Sequence, residues 1–212
     1  MKQVESVVYN EDCMEVMARF PDKYFDLCVV DPPYRDNNQP TKDMRANGSM
    51  KSLEGRPSKQ YFNELLRISK NQIIWGANNF ELPQWKGFIV WKKKTIGIEF
   101  TMSMCELASI SENLGTVSKW VEFAPQDPDR IHPTQKPVAL YDWIFKNYAK
   151  PGDKILDTHL GSGSSRIAAY KADLSFLGVE LDRDYFLAQE KRFKDFASQL
   201  TIDFKSGTKT EI

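Results

Sequence analysis

The sequence of 212 residues has few cysteines, no excess charge of either sign and no long apolar run. Its three cysteines, Cys13, Cys28 and Cys105, are widely spaced without a CxxC pair, so we expect reduced, buried thiols. Lys plus Arg number 29 and Asp plus Glu also number 29, so any nucleic-acid surface must be local. Because there is neither a long apolar span nor a charged-then-apolar leader, we expect no membrane insertion and predict a cytoplasmic location.

The length suits one α/β domain whose core needs no disulfide or metal support. We predict that this domain spans residues 1–205 and that residues 206–212 form a loose tail. Apolar periodicity predicts helices over residues 14–20, 61–69, 138–148, 166–170 and 185–200. It predicts strands over residues 6–9, 27–30, 72–75, 88–91, 106–110, 117–123, 154–157 and 176–179.

The stretch Asp31-Pro32-Pro33-Tyr34 follows the apolar run 27–30. A residue before proline favours an extended backbone, so Asp31 is predicted at the strand's carboxyl end, where sites of open α/β sheets lie. The Asp31 carboxylate and the Pro32 carbonyl offer two acceptors to an NH2 group, and Tyr34 offers a flat apolar face. This set suits an amino-bearing aromatic base. The alternative is an ordinary turn with a packed tyrosine.

A glycine-bearing loop at Gly161 and Gly163 lies between a predicted strand and a predicted helix. Glycines let a ligand approach the backbone, and the helix start offers unpaired N–H groups to a carboxylate or phosphate. Glu180, nineteen positions after Gly161, has the spacing of an acid that binds ribose hydroxyls. Arg166 occupies the place of the third glycine, which disfavours NAD. The alternative interpretation is a tight turn without a ligand.

Several polar segments allow both a functional and a structural interpretation. Asp12 follows the first strand and either belongs to a site or caps the next helix. Residues 35–59 form a polar loop that either contacts nucleic acid, and orders only with that partner, or is merely solvated. The candidate nucleic-acid contacts are the loop's basic residues and a lysine run at the end of a strand: Arg35, Lys42, Arg45, Lys51, Arg56, Lys59, Lys92, Lys93 and Lys94.

Together these motifs resemble the S-adenosylmethionine-dependent amino-group DNA methyltransferases, which modify N6 of adenine or N4 of cytosine. Asp31-Pro32-Pro33-Tyr34 matches the family's catalytic tetrapeptide, and its position ahead of the glycine loop is similar to the beta-type motif order. The loop from Asp157 to Ser164 stands where the family shows Asp-Pro-Phe-x-Gly-Ser-Gly-Thr, with departures at Thr158 and His159. The segment 132–137 is similar to the family's approach to a helix beside the cofactor.

The resemblance implies a Rossmann-like methyltransferase fold with a mostly parallel seven-stranded sheet, one reversed strand and helices on both faces. It implies catalysis by Asp31, Pro32, Pro33 and Tyr34. It assigns Glu180 to the cofactor ribose, Asp12 to the adenine end, and Thr134 with Lys136 to the methionine end. The implied cofactor site comprises Asp12, Cys13, Asp31, Thr134, Lys136, Asp157, Thr158, His159, Gly161, Ser162, Gly163, Ser164, Glu180 and Leu181. No metal site is expected, because His159 lacks partner ligands.

The implied reaction is direct methyl transfer from S-adenosylmethionine to N6 of a flipped-out adenine in DNA, since aspartate-led tetrapeptides are commoner among the adenine enzymes. An N4-cytosine DNA enzyme, an RNA adenine enzyme and an inactive nucleic-acid-binding relative remain as alternatives. Beta-type relatives are often dimers, so a homodimer is a further expectation. The target sequence and any partner restriction endonuclease are not encoded in a recognisable motif.

Overall fold

One sheet of eight strands forms the framework of the computed structural model, which describes residues 5–34, 55–125 and 130–206. The strands are β1 (Ser6–Tyr9), β2 (Phe25–Val30), β3 (Ser69–Trp75), β4 (Gly87–Lys93), β5 (Cys105–Ile110), β6 (Lys119–Phe123), β7 (Lys154–Asp157) and β8 (Ser175–Val179). The helices in these ranges are α1 (Cys13–Met17), α2 (Lys59–Ile68), α3 (Val138–Tyr148), α4 (Ser164–Lys171) and α5 (Arg183–Ser206). Short 3-10 turns lie at Ala77–Asn79 and Glu112–Leu114.

The strand order across the sheet is β1-β8-β7-β2-β3-β5-β4-β6. The strand β5 pairs antiparallel with both β3 and β4, whereas every other neighbouring pair is parallel. The predicted α/β architecture, a mostly parallel sheet with one reversed strand, is therefore confirmed. The predicted count of seven strands is wrong by one.

The strand β6 lies at one edge of the sheet and pairs with β4 from Ile89↔Lys119 to Lys93↔Phe123. Within it Val121 is buried but Trp120 is exposed. An edge strand that buries only one face carries a weaker apolar signal than a central strand. The apolar pattern nevertheless predicted a strand over residues 117–123, so all eight strands were predicted and only the count of seven implied by the resemblance is wrong.

Helices cover both faces of the sheet, as predicted. Alternate side chains of β2 point to opposite faces. Leu27 and Val29 join an apolar cluster with α3 and α4, whereas Cys28 and Val30 join a second cluster with α1 and α2. The chain thus buries each central strand on both sides, which explains its nearly continuous apolar run.

Capping interactions set where several helices begin. Ser58 accepts a hydrogen bond from the Tyr61 backbone N–H at 3.3 Å, so α2 begins at Lys59, one residue inside the predicted loop. Asp182 accepts from the N–H groups of Asp184 and Tyr185, which starts α5 before the predicted residue 185. The bounds of α3 agree with the prediction. Across the described ranges, no helix has both the length and the apolar character needed to cross a membrane.

The cysteines are free thiols, but their burial differs from the expectation. Cys28 is buried in β2, and this burial raises the pKa of its thiol to about 12. Cys13 is only partly buried, and Cys105 is exposed at the start of β5. The prediction of buried thiols is therefore wrong for Cys105, because the first residue of β5 lies at the rim of the sheet rather than under a helix.

The carboxyl ends of the parallel strands meet at one edge, and the reversed strand β5 begins there. This arrangement gathers residues that are far apart in the sequence. The residues that follow or begin these strands are Asp12 after β1, Glu180 after β8, Thr158 after β7, Asp31 after β2, Gly76 after β3 and Cys105 at the start of β5.

We expect Ile74→Ala to lower the free energy of unfolding by about 2–5 kcal/mol, because Ile74 is fully buried in the central strand β3 and its truncation leaves a cavity. Val117→Ala, at a side chain that is 70% exposed, is the control and should change it by less than about 0.5 kcal/mol. Urea denaturation of both variants measures the difference. Equal losses would contradict this account of the core.

Candidate active site

A cavity of about 1350 Å³ opens at this edge of the sheet. Its walls come from the tetrapeptide, the glycine loop, the segment before α3 and the start of β5. Most of the residues predicted for catalysis and cofactor binding line it together: Asp12, Cys13, Asp31, Pro32, Pro33, Tyr34, Thr134, Lys136, Thr158, His159, Gly161, Ser162, Ser164, Glu180 and Leu181. Two predicted cofactor residues, Asp157 and Gly163, do not line it.

The tetrapeptide lies directly after β2, as its prolines predicted. The Tyr34 hydroxyl donates a hydrogen bond of 2.6 Å to Asp31 Oδ1. The Tyr34 ring packs closely over Gly76, whose φ of +70° is in the left-handed region, and it meets the Phe80 ring edge-on at 6.0 Å. The tetrapeptide thus forms a turn with a packed tyrosine, and it also places Asp31 and Tyr34, bonded to each other, in the cavity wall.

Asp31 belongs to a network of four charges in which Lys136 is buried and the other members are partly buried. Lys136 Nζ forms an ion pair with Asp31 Oδ2 and a second one, of 2.9 Å, with Glu106 Oε2. Lys93 Nζ contacts the other oxygen of Glu106 at 2.7 Å. The Lys136 side chain is only 4% exposed, and its ammonium lies 5.2 Å from the centre of the Trp75 ring. Two carboxylates and two ammonium groups thus balance at the base of the cavity.

The network changes the pKa values of its members. Burial raises the pKa of Asp31; Glu106 adds to this rise, whereas Lys136 opposes it. Burial would also raise the pKa of Glu106, but Lys136 and Lys93 outweigh it and lower that pKa to about 2. Burial would lower the pKa of Lys136, but its two carboxylate partners raise it. At neutral pH, Glu106 and Lys136 are therefore charged.

The glycine loop uses backbone conformations that favour glycine. Gly161 has φ +53° and Gly163 has φ +74°, and Gly163 caps α4. Asp157, at the end of β7, accepts hydrogen bonds from the His159 N–H at 3.1 Å and from the Ser165 hydroxyl at 2.6 Å. Burial raises the pKa of Asp157 to about 7. Asp157 therefore braces the loop from beneath.

Glu180 joins the loop to the end of β8. Its Oε2 accepts from the Gly161 N–H at 2.7 Å, and its Oε1 accepts from the Asp182 N–H at 2.9 Å. A carboxylate oxygen can accept more than one hydrogen bond, so Glu180 is suited to a ribose hydroxyl. Asp12, after the neighbouring strand β1, accepts from the Met14 N–H at 2.7 Å. It both caps α1 and lines the cavity, so the two interpretations of Asp12 are compatible.

The two residues that depart from the family loop, Thr158 and His159, form a polar cluster with α2. The Tyr61 hydroxyl lies 2.6 Å from Thr158 Oγ1, and Thr158 Oγ1 lies 3.0 Å from His159 Nδ1. Burial lowers the pKa of His159 to about 4, so the imidazole is neutral at neutral pH. Among the described residues, no group of three or more His, Cys, Asp or Glu side chains is placed to hold a metal ion.

The predicted nucleic-acid residues are dispersed. Arg35, Lys42, Arg45 and Lys51 lie outside the described residues. Arg56 donates to the Asn79 carbonyl and lies 5.7 Å from the Phe80 ring centre, beside the cavity. Lys59 is exposed at the start of α2. In the lysine run, Lys92 lies 3.5 Å from Glu122, Lys93 belongs to the buried network, and Lys94 is exposed.

Three site residues had no signal in the sequence. Glu106 is one of several acids in strand-like segments, and only the reversed pairing of β5 brings it to Lys136. Tyr61 reads as an apolar residue of an amphipathic helix, yet its hydroxyl reaches the loop. Gly76 lies in a stretch that reads as a turn, and its role depends on the position of Tyr34. For each, the decisive partner lies in a distant segment.

The sheet order and the glycine loop define a Rossmann-like methyltransferase fold. The family model described as "DNA methylase", N6_N4_Mtase, matches residues 90–191. The "Putative methylase YubD" of Escherichia coli (strain K12) is 26% identical over 200 residues, which cover 85% of this chain and 87% of that protein. The predicted likeness to the N6-adenine and N4-cytosine DNA methyltransferases is therefore confirmed, and S-adenosylmethionine is the methyl donor of this family.

Two solved structures share the fold. The M1.HpyAVI–SAM complex is 20% identical, with a TM-score of 0.58, and the match covers 87% of this chain and 98% of that chain. The cytosine-N4-specific PvuII DNA methyltransferase is 11% identical, with a TM-score of 0.62 and 92% coverage of both chains. At these identities the likeness demonstrates a common fold and nothing finer.

We expect Gly76→Ala to lower the free energy of unfolding by about 1–3 kcal/mol more than Gly152→Ala. Both glycines have positive φ, +70° and +89°, so both variants incur the left-handed cost of about 1–2 kcal/mol. A Cβ at Gly76 overlaps the Tyr34 ring, which breaks the bond to Asp31, whereas a Cβ at Gly152 meets open space. Urea denaturation compares them, and equal losses would show that Tyr34 moves without cost.

Proposed function

We propose that this protein transfers a methyl group from S-adenosylmethionine to the N6 amine of adenine in DNA. The observation that carries the proposal is the position of Asp31 and Pro32, at the end of β2 and in the same cavity as the glycine loop of β7. In one cavity they combine acceptors for an amine with a site suited to a nucleoside-like cofactor. The volume of about 1350 Å³ exceeds the usual range for a single small ligand, so it suits a cofactor and a base together.

The cofactor half of the cavity fits S-adenosylmethionine in its donors and acceptors. We assign the ribose hydroxyls to the carboxylate of Glu180, and the adenine end to the wall at Asp12 and Cys13. Thr134 and Lys136, on the segment before α3, are assigned to the methionine end. Gly161, whose φ is positive, has no Cβ, so a ligand can approach its backbone closely. When bound, the cofactor supplies an electrophilic methyl group.

The tetrapeptide activates the amine in this proposal. An exocyclic amine is a poor nucleophile, because its lone pair is delocalised into the aromatic ring. The Asp31 carboxylate and the Pro32 carbonyl each accept a hydrogen bond from one of its two N–H groups. This turns the lone pair of the nitrogen out of the plane of the base. Tyr34 holds the ring by stacking. Since Tyr34 and Lys136 already orient the two Asp31 oxygens, most of the catalytic effect comes from positioning.

The target base must reach the cavity outside a base pair, because the amine of a paired base is engaged and buried in the stack. An extruded nucleotide or a single strand meets this need. Adenine is preferred over cytosine only because an aspartate leads the tetrapeptide. A specific observation keeps N4-cytosine as the second candidate, since a cytosine-N4-specific enzyme shares the fold over 92% of this chain.

We propose that residues 35–59 contact DNA next to the reacting base. The described end of this segment supports the proposal, because Gly55, Pro57 and Ser58 line the cavity and Arg56 is held by Asn79 and Phe80. The segment's basic residues suit phosphates. A homodimer, a partner restriction endonuclease with a role in restriction-modification, and the cytoplasmic location stay predictions.

We expect Asp31→Ala to lower kcat roughly 100- to 1,000-fold, because the amine loses the acceptor that orients it. The assay follows labelled methyl transfer from S-adenosylmethionine to unmethylated genomic DNA, with the product nucleosides resolved by mass. The control is Asp195→Ala, which removes only an exposed pair with Lys191 on α5. Cofactor affinity, measured by equilibrium dialysis of both variants, separates a loss of binding from a loss of the chemical step, because Asp31 also pairs with Lys136 at the proposed methionine end.

The nucleoside that carries the label decides among the alternatives. Label in N6-methyladenine supports the proposal, and label in N4-methylcytosine keeps the mechanism but changes the base. Undiminished transfer by Asp31→Ala would remove Asp31 from the reaction. Cofactor binding without label in DNA would favour an RNA methyltransferase or an inactive nucleic-acid-binding relative.

We expect the acid limb of the kcat–pH profile to move in opposite directions in two variants. Asp31 must be ionised to accept a hydrogen bond from the amine. The negative charge of Glu106 raises the pKa of Asp31, whereas the positive charge of Lys136 lowers it. Glu106→Gln should therefore shift the limb to lower pH, and Lys136→Gln should shift it to higher pH. Glu122→Gln, at an exposed pair with Lys92, is the control. Shifts in the same direction would contradict the assignment to Asp31.

A further inference from the structure

The hairpin between β4 and β5 carries an unusual surface. Large apolar side chains are exposed at three alternate positions of its tip: Ile98 is 90% exposed, Phe100 49% and Met102 46%. These are three of the eight exposed large hydrophobic residues among the described residues. We call this segment, residues 98–102, the hairpin tip. Three such side chains so close together mark an interaction surface more often than a chance exposure.

The hairpin below the tip is anchored. Ile96 is buried, and its N–H donates to the Lys93 carbonyl at 3.1 Å. The Lys93 N–H donates to the Met104 carbonyl at 2.9 Å, and the Ser103 hydroxyl donates to the Cys105 carbonyl at 2.7 Å. The Lys93–Met104 bond extends the β4–β5 ladder by one residue pair, and the other two bonds order the turns on either side of it. The tip is therefore presented on a supported base, as a wedge requires.

The tip lies beside the half of the cavity that faces away from the glycine loop. In the sheet order, β7 and β8 lie on one side of β2, whereas β5 and β4 lie on its other side. Thr101, Met102 and Ser103 line the same cavity as Asp31. The apolar surface is thus continuous with the region that receives the base in the proposed function.

Exposed charges of both signs lie at and near the tip. Lys94, at the foot of the hairpin, is exposed and can meet a phosphate. Glu99, within the tip, is also exposed, and its carboxylate lies over Gly97, where an added Cβ would overlap it. The features that suit the tip to a base stack are therefore its apolar side chains and its place beside the cavity, not its charge.

We propose that the hairpin tip is a wedge that enters the base stack of duplex DNA and fills the space left by the extruded nucleotide, an inference that rests on the proposed function. Ile98 and Phe100 replace the stacking contacts that the departing base gives up, and Met102 borders the cavity that receives it. Unstacking a base step costs a few kcal/mol, and apolar wedges offset this cost in other DNA-distorting proteins. A single strand has no stack to open, so the wedge contributes nothing there.

The test compares the double variant Ile98→Ser/Phe100→Ser with the unaltered protein on native duplex and on heat-denatured, single-stranded DNA from the same unmethylated genome. We expect kcat/KM to fall at least tenfold on the duplex and less than threefold on the single strand, with unchanged cofactor binding. The control, Val117→Ser, replaces an exposed apolar side chain just before β6. This position lies at the amino end of β6, whereas the hairpin tip follows the carboxyl end of β4, so the control should change neither value.

Other outcomes would overturn the proposal. Equal losses of kcat/KM on both substrates would mean that the tip shapes the base pocket instead. No loss of kcat/KM on either substrate would mean that the tip has no role in the reaction. A change from dimer to monomer in sedimentation would assign the tip to a second copy of the chain. If the unaltered protein methylates neither DNA form, the proposed function fails and the wedge fails with it, whereas activity on single strands alone refutes only the wedge.

Discussion

The contact on which the site depends is the buried ammonium of Lys136 between Asp31 and Glu106. It ties together three segments that are distant in the sequence: the end of β2, the start of β5 and the approach to α3. A buried charge without partners is costly, so these segments must assemble together or leave a carboxylate or an ammonium unpaired. The cavity, the tetrapeptide and the reversed strand are consequently coupled through one side chain.

Such a network contributes little net stability to a fold, because removing its charges from water costs free energy. Apolar residues of similar volume often stabilise an interior equally well. The value of the network lies in orientation. Tyr34 contacts one oxygen of Asp31 and Lys136 the other, so the carboxylate plane is fixed before a substrate arrives. Glu106 and Lys93 extend the same restraint to Lys136 from the far side. Preorganised polar groups of this kind lower a reaction barrier without reorganising during the reaction.

Local patterns predicted much of this architecture. The run before Asp31, the prolines after it, and the spacing from Gly161 to Glu180 each depend on neighbouring residues, so strands, loop and cavity edge followed from the sequence. Glu106 did not, because only the reversal of β5 aligns it with Lys136. The exposure of Cys105 was missed for a related reason: it depends on where the sheet stops, which no local pattern encodes, whereas the edge strand β6 was predicted over residues 117–123.

The two halves of the cavity therefore differ in what a motif can reveal. The half of the cavity proposed for the cofactor is built from strand ends whose sequences form a recognisable signature, and the tetrapeptide beside it offers hydrogen-bond acceptors that suit the amine of either base. The substrate half is built from β4, β5 and their hairpin, which no short pattern marks. A cytosine-N4-specific enzyme shares the fold, so the sheet alone does not choose the base. Under the proposed function, we expect selectivity between the bases to come from side chains of the substrate half and from the polar segment after Tyr34, because function most often varies in loops on a constant scaffold.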